Sequence, residues 1–174
     1  MFYALQIDSN GNGIGSHAYV EEPTSYPSNE VPCTQAQAQN PSLYQVVGGQ
    51  IVESLTAAQS AQIALLQSSA QKAEQAPLTY TTSGGVTATF LMTPHQWTKF
   101  MGAYTKYVVK GDTFPSGYSF FDQNGKPVPV TVADISGIFD AGMAQIEGAM
   151  SKLSSLVAQV EAATTVSDVQ AVNW

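Results

Sequence analysis

TVADISGIFDAGMAQIEGAMSKLSSLVAQVEAA, residues 131–163, contains no proline. Its apolar and small residues recur in alternating steps of four and three, at Ile135, Phe139, Gly142, Ile146, Ala149, Leu153, Leu156, Val160 and Ala163. A stripe with that period predicts one long amphipathic helix. Thr131 and Asp134 form a candidate capping box at its start, each side chain taking up a backbone N–H that the first turn leaves unpaired. Met143, Met150 and Val157 widen the stripe, while Gln145, Ser151, Lys152, Ser154, Ser155, Gln159 and Glu161 keep the other faces polar. One wide side therefore needs cover, and the pattern leaves two sources open: the rest of the domain, or the same helix from neighbouring copies. Ile135, Phe139, Ile146, Leu153, Leu156 and Val160 are accordingly read as either a core face or a self-assembly face. Gly142 and Gly148 weaken a pure zipper.

Just upstream, residues 118–121 and 126–130 flank Asp122-Gln-Asn-Gly125, a turn signal that predicts a hairpin leading straight into the long helix. Before that, Thr93-Pro94 opens a second helix, with Thr at the cap, Pro in the first turn and Gln96 three residues past the cap. Trp97, Phe100, Met101, Tyr104, Tyr107 and Val108 give it the heaviest apolar face in the chain, ending at Gly111-Asp112. Residues 86–92 read as a strand. Downstream, Thr165 and Asp168 repeat the capping pattern, and Val169, Val172 and Trp174 predict a last short helix packed back on the body. Trp97, Phe100, Tyr104 and Trp174 are the expected core of a C-terminal head.

Toward the N-terminus, residues 55–76 are rich in Ala, Gln and Leu and lack glycine and proline. They predict a helix, begun near Thr56, whose thin seam buries little area and which needs neighbours to hold it. Gly48-Gly49 between residues 43–47 and 50–52 predicts a two-residue hairpin. Residues 21–41 carry Pro23, Pro27, Pro32 and Pro41 and are expected to run extended over a surface. Phe2–Ile7 alternates like a strand and enters the turn cluster Asp8-Ser-Asn-Gly-Asn-Gly-Ile-Gly15, with residues 17–20 returning as its hairpin partner. The fold class read from these elements is α+β, in three parts: a β-rich attachment region at 1–54, a helical linker or stalk at 55–78, and an α+β domain at 79–174.

The 174 residues are 44% hydrophobic, so the chain is built to fold, yet only 11% are charged. Weak electrostatic protection against association suits a life inside an assembly. The net charge is −7, there is no Arg, and the six lysines are Lys72, Lys99, Lys106, Lys110, Lys126 and Lys152. Nucleic acid, phosphate and anionic membrane are poor partners for such a chain. The single Cys33 gives neither a disulfide framework nor a metal cluster. No apolar run reaches membrane-spanning length, and residues 1–7 lack the basic flank of a signal peptide, so synthesis in the cytoplasm is expected.

Motifs that carry chemistry are thin. Asp8, Asn10 and Asn12 imitate the first half of a calcium loop, but Tyr19 stands where a bidentate glutamate belongs. Gly11, Gly13 and Gly15 have the wrong spacing for a dinucleotide loop. His17 and His95 have no acidic or Cys neighbour at triad or ligand spacing, and Glu21-Glu22 lies in a Pro-rich segment that would position an acid and base poorly. The aromatic set Trp97, Phe100, Tyr104, Tyr107, Tyr118, Phe120 and Phe121 reads as core, or as the lining of a sugar or peptide groove. No catalytic, cofactor-binding or metal residues are expected, and no cofactor.

The C-terminal half carries a resemblance. Thr87-Ala-Thr-Phe-Leu-Met-Thr-Pro94, Phe121-Asp-Gln-Asn-Gly-Lys-Pro-Val128, Val130-Thr-Val-Ala-Asp-Ile135, Thr164-Thr-Val-Ser-Asp168 and Val172-Asn-Trp174 are together similar to a small uncharacterised domain carried by tailed-phage proteins. Glu30-Val-Pro32 and Tyr44-Gln-Val-Val-Gly-Gly-Gln-Ile-Val52 resemble in layout the openings of tail-fibre and tail-fibre-assembly proteins. Residues 55–76 lie outside that pattern. The resemblance implies a non-enzymatic structural component of the virion tail or tail fibre, a homo-oligomer with a trimer favoured, docking on other tail proteins and in reach of the host surface. The alternative it implies is a fibre-assembly chaperone not retained in the virion.

Overall fold

The computed structural model describes residues 1–174, and the chain is an α+β protein. Strand β1 (Phe2–Ile7) pairs antiparallel with β2 (Gly13–Tyr19) on one edge and with β3 (Glu30–Cys33) on the other, giving the order β2-β1-β3. The expected extended run over residues 21–41 is thus interrupted. Pro32 is tolerated in β3 because an edge strand has one side on which a missing N–H costs no ladder bond. Thr34 and Gln37 then form a capping box that starts α1 (Gln35–Gln39). A 3₁₀ turn, Pro41–Leu43, leads to β4 (Tyr44–Val47) and β5 (Gln50–Glu53). Their hairpin turns through Gly48 and Gly49 at φ +59° and +80°, values that exclude most other residues there. Helix α2 (Leu55–Glu74) starts at the expected Leu55 and ends two residues short of Ala76. Its cap is Ser54, whose Oγ accepts the Ala57 N–H at 3.3 Å, and Thr56 lies inside the first turn.

The predicted strand at 86–92 is β7 (Thr87–Phe90), and its partner β6 (Leu78–Thr81) was not anticipated. Thr93 caps α3 (Pro94–Ala103), which runs on into a π-helical turn, Tyr104–Val109. The Asn124-Gly125 turn joins β8 (Ser119–Phe121) to β9 (Pro127–Pro129). Helix α4 (Val132–Ala162) begins at the expected box: Asp134 Oδ2 accepts the Thr131 N–H at 2.8 Å, and Thr131 Oγ1 accepts the Asp134 N–H at 3.2 Å. Thr165 caps α5 (Val166–Ala171).

The chain divides into two compact units, residues 1–66 with 156–174, and residues 67–155. This differs from the three parts expected, since α2 is not a separate stalk and the C-terminal tail leaves the head. Side-chain amides give the physical reason. In the first unit Gln59 Nε2 donates to the Val160 carbonyl at 3.1 Å, and Gln62 Nε2 to the Val172 carbonyl at 2.5 Å. Ala4, Leu5, Leu66, Val160 and Val169 are buried there.

In the second unit Phe90, Phe100, Phe120, Ile135 and Ile138 form the core, with the Phe100 ring 4.5 Å from Phe120 and 5.8 Å from Phe90. Phe139 stacks on Trp97 at 5.7 Å and on Tyr104 at 4.0 Å. Gly142 supplies the gap beneath them: a Cβ there would lie 2.5 Å from Trp97 Cζ3. The helix of the heptad stripe and the aromatic face of α3 are thus made for each other within one chain.

Candidate functional site

The densest group of titratable side chains is one that sequence spacing hid. Residues alternate across a sheet, so Gln6 of β1 shares a face with its partners Gly15 of β2 and Glu30 of β3, and Ala4 with its partner His17. Gly15 leaves room for the Gln6 side chain, whose Oε1 would lie 2.7 Å from an added Cβ, and the Glu30 side chain, only 2% exposed, reaches across β1. Its Oε1 accepts the His17 Nδ1–H at 2.5 Å and a Gln6 Nε2 hydrogen at 3.3 Å, and its Oε2 accepts the Tyr19 hydroxyl. Tyr26 closes edge-on over Tyr19 at 5.8 Å. His17 therefore does have an acidic neighbour, contrary to the sequence reading; the contact is made across a strand, where spacing along the chain carries no signal.

The Tyr19 hydroxyl, with help from His17 and Gln6, holds the Glu30 carboxyl below its usual range against the opposing effect of burial. The same bond raises the Tyr19 phenol. Both carboxylate oxygens are engaged. The neighbouring Ser16 hydroxyl donates to the Ala38 carbonyl at 2.7 Å. The group acts as a polar lock on the three-stranded sheet.

The remaining motifs resolve into structure. Asp8 Oδ1 accepts the backbone N–H of Asn10 at 2.8 Å and of Asn12 at 2.9 Å, closing a plain turn. Its pKa is lowered, first by the Asn12 side-chain amide. His95 is exposed in the first turn of α3. No group of three or more His, Cys, Asp or Glu gathers to hold a metal ion, and no helix is long and apolar enough to cross a membrane. Of the aromatic set, Phe100, Tyr107 and Phe120 are buried and Trp97, Tyr104 and Tyr118 pack against them, whereas Phe121 is 59% exposed.

Along the heptad stripe Ile135 and Val160 are buried, and Phe139, Ile146, Leu153 and Leu156 are half-buried. Trp174 is half-buried in the first unit, apart from the head residues Trp97, Phe100 and Tyr104 with which it was grouped. It follows Val169, which is fully buried in that unit and holds the tail there.

What remains open to a partner is surface. In the first unit a groove of about 320 Å³ lies between the β4–β5 hairpin, the start of α2 and α5. Leu43, Tyr44, Ala61, Leu65 and Val166 make it mainly apolar, with Glu53 beside them, and Leu65 is 62% exposed. In the second unit the π turn faces Tyr107 inward, 5.1 Å from the Phe114 ring, and leaves Val109 66% exposed. Lys106 and Lys110 flank it, with the Lys106 ammonium 5.3 Å from the Tyr107 ring centre. π turns recur where a helix has a job beyond packing.

The fold defines an α+β protein of two compact units. The chain belongs to the family described as a domain of unknown function, DUF4376, whose model matches residues 57–173. That match takes in α2, the stretch left outside the resemblance drawn from sequence. No curated protein and no solved structure matches the chain.

Proposed function

We propose that this protein is a non-enzymatic structural component of a tailed-phage virion, part of the tail or a tail fibre, that self-assembles and docks on other tail proteins. The observation that supports this reading is where the chain spends its polar and apolar groups. The one Glu–His–Tyr group spends the Glu30 carboxylate on tying β2 to β3, while Leu65 and Val109 stand exposed at a groove and a helical turn. The low charge and the resemblance of the C-terminal half to a tailed-phage domain point the same way. A homotrimer is the favoured assembly. Mass spectrometry of purified particles tests the reading: the chain is expected among virion proteins in fixed ratio to a tail component.

A second reading, a tail-fibre assembly chaperone, has its own support. The α4 stripe is buried within a single chain at Ile135, Ala149 and Val160 and half-buried at Phe139, Ile146, Leu153 and Leu156, which leaves less of it for sister copies to cover. Under that reading the protein is absent from purified particles and co-purifies with the fibre protein during assembly.

A further inference from the structure

The two units differ in charge in a way the whole-chain value conceals. The first carries Asp8, Glu21, Glu22, Glu30, Glu53, Glu161 and Asp168 and not one lysine. The second holds all six lysines, balanced by Glu74, Asp112, Asp122, Asp134, Asp140 and Glu147. The entire net charge of −7 therefore resides in the unit that has the apolar groove. An apolar groove in an acidic surface selects an apolar anchor flanked by cations. The same sequence presents such an anchor on its other unit: Val109 is 66% exposed between Lys106 and Lys110 in the chain, and the two lysines line a shallow surface with Met101 and one acid, Asp112.

We infer that the groove lined by Leu43, Tyr44, Leu65 and Val166 is the docking site for the Lys106–Val109–Lys110 turn of a second copy of this chain. The contact is head-to-tail. It uses two different surfaces, so it closes reciprocally between two copies, closes into a larger ring such as a trimer, or continues as a filament. The inference rests on the self-assembly proposed above and supplies its interface. The apolar anchor supplies most of the affinity, and the cations supply direction, rate and a salt-dependent share of it.

Complementation between two variants tests it. Leu65→Glu spoils the groove and leaves the anchor; Val109→Asp spoils the anchor and leaves the groove. Both positions are exposed, so the fold is expected to survive, with circular dichroism as the check. By light scattering over a dilution series, the wild type should associate and each variant alone should be a monomer. An equimolar mixture of the two variants should form a one-to-one dimer and stop there. Raising salt from about 50 to about 500 mM, or making the pair Lys106→Glu and Lys110→Glu, should weaken wild-type association about tenfold or more. A mixture that stays monomeric while the wild type assembles overturns this interface and leaves self-assembly standing through another face. A wild type that is monomeric at every concentration overturns both, while detection in particles by mass spectrometry judges the virion reading separately.

Discussion

Gln145 of α4 donates from Nε2 to the Ala76 carbonyl at 2.9 Å, and to the Ala73 and Glu74 carbonyls at 3.0 Å. One side-chain amide thus gathers three carbonyls at the C-terminus of α2, where helical partners run out. In the first unit Gln59 of α2 does the same for α4, donating to the Val160 carbonyl at 3.1 Å and that of Ala163 at 3.4 Å. The glutamines of the Ala/Gln stretch are its anchors.

Gln145→Ala should therefore loosen the end of α2 at a cost of about 1 kcal/mol, the usual net worth of such bonds. Urea denaturation should report the loss, and hydrogen exchange should accelerate in the last turn of α2 before it does in α4.

Asp134 joins two elements. Besides capping α4 with Thr131, its Oδ1 accepts the Ser83 N–H at 2.6 Å and its Oδ2 the Ser83 hydroxyl at 2.9 Å, tying the β6–β7 turn to the helix. Asp134→Ala removes the cap and leaves the Ser83 and Thr131 donors without this acceptor. We expect a loss of about 2–3 kcal/mol by chemical denaturation, more than for a cap alone.

Acid should weaken both units. For Glu30 the Tyr19 hydrogen bond lowers the pKa from an ordinary value of 4.5; for Asp134 burial pushes upward, but hydrogen bonds from Ser83 and Thr131 outweigh it and the net shift from 3.8 is downward. A carboxyl with a depressed folded pKa contributes stability above its unfolded pKa and loses it as pH falls through the folded one. The melting temperature should hold near neutrality and drop below about pH 4.5, the ordinary Glu value. In Glu30→Gln the fall should be shallower; an unchanged slope would remove Glu30 from the account.

Three glycines of α4 should respond in opposite directions. At Gly142 an added Cβ meets the Trp97 ring, and at Gly137 it would fall on the Tyr80 hydroxyl and ring. Gly142→Ala and Gly137→Ala should each cost about 1–3 kcal/mol as overpacking. At Gly148 a Cβ meets nothing within 4 Å, so Gly148→Ala should stabilise by about 0.5–1 kcal/mol through helix propensity. Thermal melts of the three variants give the comparison directly.

Much of the secondary structure was legible in the sequence because its signals are local. Thr131 with Asp134, Thr93 with Pro94, and Thr165 with Asp168 each announce a helix start within four residues, and the glycine turns at 48–49 and 124–125 announce hairpins. The misses have equally physical causes. Strand β6 is four residues long and is defined by its partner β7, and β3 hides in a Pro-rich run because an edge strand tolerates Pro32.

The sequence by itself determined the α+β class, the span of α4 and its caps, the aromatic face of α3, and a surface poor in charge, since periodicity and capping chemistry act between residues a few positions apart. Tertiary structure alone decided what covers the stripe of α4, why Gly142 is small, where Trp174 belongs, and that Glu30 meets His17. Each of these is a contact between residues distant in the chain, set by strand pairing and by how closely backbones approach. The segregation of all six lysines from the groove-bearing unit is likewise written in the sequence, but becomes visible only when folding brings residues 156–174 together with residues 1–66.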